Sequence, residues 1–193
     1  NLSIVDPDSR NPYGATVVQG TQTIDGVKKT FNCFRFGNLE TVGWYSLFLN
    51  RFNNNAVFNL NDQFLFRAKI TAAKGIRVVL VLRAVYESDN NSNTSDHINL
   101  ITTTIINETD TQANTWRTLS VPVSVNQAID LNRKVLYYNL FLEINANNSG
   151  LGYVHVRDIS VYQMANNVLI ADGAITAAKL STDAITSRNY SVD

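Results

Sequence analysis

The sequence predicts an all-β chain, a jelly-roll β-sandwich of two antiparallel sheets, followed by a short C-terminal oligomerisation segment. Three observations lead there. About nine or ten apolar runs of strand length recur at near-regular spacing through residues 1–163, and none carries a helical period. Between the runs lie clusters of Asn, Asp, Gly and Thr, and asparagine's tolerance of left-handed backbone suits loop tips. After Tyr162 aromatics nearly vanish and small residues with Thr, Ser and Asp take over, so residues 164–193 read as a separate element.

The first runs span residues 15–19, 31–36 and 43–52. Residues 63–71 alternate cleanly, with Phe64, Phe66, Ala68 and Ile70 on one face and Gln63, Arg67, Lys69 and Thr71 on the other. Residues 76–87 are apolar at nearly every position except Arg77 and Arg83, which marks a central strand, and Lys74-Gly75 ahead of it reads as a hairpin turn. Runs at 98–107, 116–125, 135–145 and 152–162 complete the set. In the run from Val135, Leu136, Tyr138, Leu140, Leu142 and Ile144 share a face, opposite Tyr137, Asn139, Phe141, Glu143 and Asn145. The last run changes parity between Val156 and Ile159, predicting a bulge near Arg157-Asp158.

Composition narrows the function classes. Sixteen basic and sixteen acidic residues cancel without forming blocks, so neither nucleic acid nor an anionic membrane finds an electrostatic footprint. Apolar runs stop short of the roughly 20 residues a spanning helix needs, which argues against membrane insertion. Cys33 is the single cysteine, so no intrachain disulfide forms, and a small buried hydrophobe is its simplest role. Opening at Asn1 and ending in a polar stretch, the chain reads as an excerpt from a longer protein.

In the tail, the sizeable apolar groups are Val168, Leu169, Ile170, Ile175, Leu180 and Ile185. At ~0.5 to 3 kcal/mol each they fall short of ordering costs of roughly 1 to 2 kcal/mol per residue. Order in this segment therefore requires contacts from sister copies, through Ile170, Ile175, Leu180 and Ile185.

Two stretches carry resemblances. Asn1 to Asp8, the strand from Gly43 to Phe48, the Trp116-Arg117-Thr118-Leu119 entry and the strand from Val154 to Val161 together resemble jelly-roll carbohydrate-binding modules over roughly residues 1–163. Residues 169–186 contain Gly173-Ala174-Ile175-Thr176 followed by Lys179-Leu180, and Ala184-Ile185-Thr186 ten residues on. This is similar to the Gly-Ala-Ile-Thr repeats of bacteriophage tail-tip and central tail fibre proteins, which are trimeric. The second copy departs from the pattern, with Ser187-Arg188-Asn189 where Lys and Leu would recur. The resemblance implies an extracellular virion location, a homotrimer and other tail proteins as partners.

A sugar-binding surface needs aromatic platforms and planar polar partners. Tyr45, Tyr86, Trp116 and Tyr137 are the candidate platforms, with Arg77, Arg83, Asn139 and Glu143 as polar partners. The Asn-rich stretch 89–96 is an alternative recognition loop for a host surface glycan or protein. No cofactor is required. Asp6, Asp8 and Asp158 supply hard oxygen ligands of the kind that hold structural calcium in the resembled modules, or else act as turn carboxylates accepting backbone hydrogen bonds.

Catalysis has little support. His97 and His155 sit in no nucleophile or metal motif, and only a convergence of Asp62, Glu87, Asp89 and Glu143 would make a glycosidase. The leading expectation is therefore a non-enzymatic phage tail module engaging host carbohydrate, with a ligand-free structural spacer as the alternative. A carbohydrate module on a secreted hydrolase ranks third, because enzyme linkers are rich in Pro or Ser/Gly rather than in Ala-Ile-Thr repeats.

Overall fold

A computed structural model describes residues 15–39, 45–87, 96–144 and 151–164. They form nine strands: β1 (Thr16–Ile24), β2 (Val27–Asn38), β3 (Tyr45–Asn53), β4 (Gln63–Ala72), β5 (Val78–Tyr86), β6 (His97–Ile106), β7 (Arg117–Ser124), β8 (Val135–Ile144) and β9 (Gly152–Met164). A five-stranded sheet has the order β1-β2-β9-β4-β7 and a four-stranded sheet the order β3-β8-β5-β6. The chain is an all-β sandwich of two antiparallel sheets, as the alternation implies.

The inner faces supply the core. Phe36, Phe66, Ala68, Ile70, Val154 and Val156 come from the five-stranded sheet; Leu47, Leu80, Leu82, Leu100, Leu140, Leu142 and Ile144 face them from the other. Among the described residues, no polar or charged residue is fully buried. This follows from alternation: β4 and β8 direct the apolar side chains of every second position to the interior, and Phe141 of β8 is buried separately on the outward side. Leu136 shares the parity of the β8 core set but lies 40% exposed, where the strand begins beyond the cover of the opposing sheet.

Two connections differ from the sequence expectation. Lys74-Gly75 is not a hairpin turn, because β4 and β5 belong to different sheets. The link crosses the sandwich instead. Gly75 takes a φ of 80°, Ile76 donates its N–H to the Ala73 carbonyl, and its side chain is buried at the crossing. The second difference is the β1–β2 hairpin, which extends well past residues 19 and 31. Ile24 pairs with Val27 around Asp25-Gly26, whose φ values of 51° and 75° suit a two-residue turn with both central residues left-handed. Apart from Ile24 and Val27 beside the turn, residues 20–30 are polar or glycine, so alternation could not reveal them.

The expected bulge has a local counterpart. Asp158 takes a φ of 52°, at the point where β9 exchanges its buried parity.

Leu142 is fully buried and paired with Leu80 at the centre of the four-stranded sheet. Leu142→Ala should cost about 2 to 5 kcal/mol, from lost transfer energy plus the cavity left behind. Urea denaturation of the variant and parent measures this, and a loss below about 1 kcal/mol would contradict the packing described.

Candidate binding face

The outer face of the four-stranded sheet collects the polar residues that the core rejects. Its registers generate a lattice. Arg51 lies opposite Asn139, Asn139 opposite Arg83, and Arg83 opposite Asn99, so arginine and asparagine alternate across all four strands. On one side of this row stand Asn53, Tyr137, Val85 and His97; on the other stand Phe48, Phe141, Val81 and Thr102, followed by Ser46, Glu143, Val79 and Thr104.

Hydrogen bonds and ring contacts fix the row. Arg51 Nε donates to Asn139 Oδ1 at 3.2 Å, and Arg83 Nε donates to Asn99 Oδ1 at 2.9 Å. The Arg51 guanidinium lies 4.1 Å from the Tyr137 ring centroid and 5.9 Å from that of Phe48, while Arg83 lies 4.9 Å from Phe141. Beneath them, Val79, Val81 and Phe141 form a small buried cluster on the outward side of the sheet. Planar cations are thereby held flat over an apolar base. Arg77 joins the same face, its Nε and Nη2 donating to Thr104 Oγ1 at 3.3 and 3.1 Å.

Glu143 is the acidic member. Burial raises its carboxyl above the usual value, opposed by the Arg83 cation. The surface thus offers guanidinium and carboxamide edges, one acid and the rings of Tyr137 and Phe48. Such planar donors and acceptors match vicinal hydroxyl pairs.

Five of the eight sequence candidates share this face: Arg77, Arg83, Tyr137, Asn139 and Glu143. Tyr45 and Tyr86 do not. Both are core side chains, 3% and 2% exposed, and the Tyr86 hydroxyl accepts the Asp130 N–H at 2.8 Å. Trp116 stands ahead of β7, beside the other sheet, edge-on to Phe31 with centroids 5.1 Å apart. Sequence reasoning missed Arg51, Phe48 and Asn99. A register shift between Phe48 and Asn50 turns Arg51 outward and Phe52 inward, and the signal for it was the change of apolar parity between Leu49 and Phe52.

Of the calcium candidates, Asp6 and Asp8 lie outside the described residues, as do Asp89, most of the 89–96 loop and the oligomerisation positions Ile170, Ile175, Leu180 and Ile185. Asp158 is exposed and pairs with Lys69 at 3.4 Å. Among the described residues, no three His, Cys, Asp or Glu side chains gather as a metal-ligand set. Nor do Glu87 and Glu143 converge. Glu143 pairs with Val79, whereas Glu87 lies eight residues further along β5, roughly 26 Å away at about 3.3 Å per residue. Glycosidase pairs stand no more than roughly 10 Å apart. Asp62 accepts the Asn59 N–H at a turn.

No protein-family model and no curated protein sequence matches the chain. Solved structures with similar folds include the family 30 carbohydrate-binding module of a cellulosomal cellulase from Clostridium thermocellum, at 17% identity and a TM-score of 0.45, covering 80% of this chain and 94% of that one. A family 4 carbohydrate-binding module matches at 11% identity and a TM-score of 0.40, over 79% and 94%. The enzymatically active domain of tailspike protein 4 from bacteriophage CBA120 matches at 11% identity and a TM-score of 0.37, over 78% of this chain and 19% of that one.

The Glu143 shift sets a pH dependence. A carboxyl that binds its proton more tightly when folded contributes stability below its ordinary value of 4.5, and that contribution is lost as pH rises through the folded value. Glu143→Gln should therefore melt higher than the parent by a margin that grows between about pH 4 and pH 7. Thermal denaturation at both pH values checks this; a pH-independent margin would contradict it.

Proposed function

We propose that this chain is a non-catalytic carbohydrate-binding module, and that the outer face of the four-stranded sheet is its binding surface. The observation that carries the reading is the Arg51–Asn139–Arg83–Asn99 row, held flat across four strands and flanked by Tyr137 and Phe48. Guanidinium groups present paired donors in fixed geometry, and carboxamides present one donor and one acceptor edge. An extended polysaccharide laid along the row would find both. The exposed Asn53, Thr102 and Thr104 extend the polar surface around it.

Binding to immobilised bacterial polysaccharides or to whole cells tests the proposal. Arg51→Ala should weaken it by about 10- to 100-fold, the loss of charge-assisted hydrogen bonds worth about 1.5 to 3 kcal/mol. Tyr137→Ala should weaken it as well, by removing the ring that Arg51 packs on. Unchanged affinity in both folded variants would sink the assignment.

The tail repeat supports a setting for this module. Its likeness to the Gly-Ala-Ile-Thr repeats of phage tail-tip and central fibre proteins favours a place on a virion tail, outside the cell, with three chains joined through Ile170, Ile175, Leu180 and Ile185. Host surface carbohydrate is then the natural ligand. Light scattering on the chain with and without residues 165–193 should give a trimer and a monomer respectively, and a monomer in both would overturn the trimeric arrangement.

A spacer without ligand is the second reading, favoured by one specific observation. The arginines and asparagines already bond one another, so the row also serves as a cross-strand stitch. In that case Arg51→Ala lowers stability and no glycan binds.

A further inference from the structure

A second cavity, of about 360 Å³, opens on the outer side of the five-stranded sheet. It lies on the layer opposite the arginine row. Tyr153 and His155 enter it from β9, alternating with Val154 and Val156, which face the core. Gln19, Gly20 and Thr21 of β1, Thr71 of β4, and Asn114 and Trp116 from the link ahead of β7 supply the rest of the polar and aromatic wall, and Leu39, Ala72 and Ala73 add an aliphatic part.

The walls are built rather than incidental. Trp116 is held edge-on by Phe31, whose ring lies over Gly20, its cross-strand partner; a Cβ at Gly20 would meet that ring at 2.6 Å. Behind Phe31 the Arg157 guanidinium stacks at 3.6 Å from the ring centroid, with Nη2 donating to Gln22. Arg117, next to Trp116, is clamped by both carboxylate oxygens of Asp110, and the Asn114 N–H donates to the Ala72 carbonyl at 2.8 Å. On the other wall, Arg35 packs over the Tyr153 ring at 4.6 Å.

The chemistry of this lining is uncharged throughout. It combines two rings, the carboxamides of Gln19 and Asn114, the hydroxyls of Thr21 and Thr71, and an imidazole that burial and the Arg35 cation both hold below its usual range, hence neutral at pH 7. The Thr71 Oγ1 is buried and has no hydrogen-bond partner among the described residues. No ionised side chain is among the lining residues, although Arg35 lies 4.6 Å from the Tyr153 ring centroid and Arg157 5.6 Å from that of Trp116, and a purely apolar ligand would leave the polar groups unmatched.

We propose that this cavity is a second carbohydrate site, taking one or two rings of a neutral sugar, with Trp116 and Tyr153 against the ring faces and Asn114, Gln19, His155 and Thr71 toward the hydroxyls. Its volume sits at the small end of the range for ligand pockets. The assignment does not depend on the arginine row, because the two surfaces belong to different sheets.

Saturation-transfer NMR on the full chain, with glucose, galactose, N-acetylglucosamine and maltose as probes, tests the proposal. At least one probe should give a signal that weakens tenfold or more in the double variant Gln19→Ala/Asn114→Gly. Both positions are exposed, and glycine keeps the left-handed φ of 59° at Asn114. Thr71→Val separates binding from folding: removing an unpartnered hydroxyl should leave the melting temperature equal or higher while weakening the sugar several-fold. The measurements are made in the Arg51→Ala background, so that the arginine row, whose role is tested separately, does not contribute to the signal. Absence of signal from all four probes, or survival of the signal in the double variant and in Thr71→Val, would each overturn the proposal.

Discussion

Strand β5 is buried on both of its faces, and most of the architecture answers to that fact. Eight of its nine residues are buried; Arg83 is the exception. Inward, Val78, Leu80, Leu82 and Ala84 form the middle of the core. Outward, Val79 and Val81 are covered by Phe141 from β8, with which they form a secondary cluster. The outward cluster in turn needs a polar lid. Arg83 provides it, because a guanidinium stacks on a ring while its edges remain able to hydrogen-bond.

Register then propagates this local solution across the sheet. Once Arg83 stands opposite both Asn139 and Asn99, the antiparallel lattice places Arg51 on the far side of Asn139. The irregularities serve the same end. Without the shift in β3, Arg51 would point into the core and Phe52 into solvent, a double penalty of buried charge and exposed ring. A similar shift between Leu82 and Arg83 in the pairing of β5 with β6 keeps Leu100 and Ile101 both inward while Asn99 remains outward. The polar row and the apolar core are two readings of one alignment.

This explains which parts of the molecule were legible in the sequence. β4 and β8 alternate without interruption, so their faces, and hence Tyr137, Asn139 and Glu143, could be placed from residue order alone. Parity also spoke against two of the proposed platforms. Tyr45 shares its phase with Leu47 and Leu49, and Tyr86 shares its own with Leu82 and Ala84 rather than with the arginines, so both belonged to the core. Arg51 was hidden by a register shift whose position depends on the partner strand. Trp116 was hidden for a different reason: it precedes its strand, and its contact with Phe31 joins residues far apart in sequence. The change of sheet at residues 73–77 has no local signature either, since a Lys-Gly pair between apolar runs serves equally as a hairpin or as a crossing.

The rings themselves are used in a way composition does not suggest. Aromatic residues beside polar ones invite the idea of open platforms for sugar stacking, yet in this fold one arginine after another occupies a ring: Arg51 on Tyr137, Arg83 on Phe141, Arg157 on Phe31 and Arg35 on Tyr153. Each pairing removes aromatic surface from contact with a ligand and fixes a guanidinium plane in exchange. On the carbohydrate reading proposed above, the four-stranded sheet would rely on edge hydrogen bonding more than on ring stacking. On the five-stranded sheet Arg35 lies 4.6 Å from the Tyr153 ring centroid and Arg157 5.6 Å from that of Trp116, so the rings that line the cavity are paired with cations too. The same pairing of cation and ring thus recurs on both layers, along the polar row of the four-stranded sheet and at the ring-lined cavity of the five-stranded one.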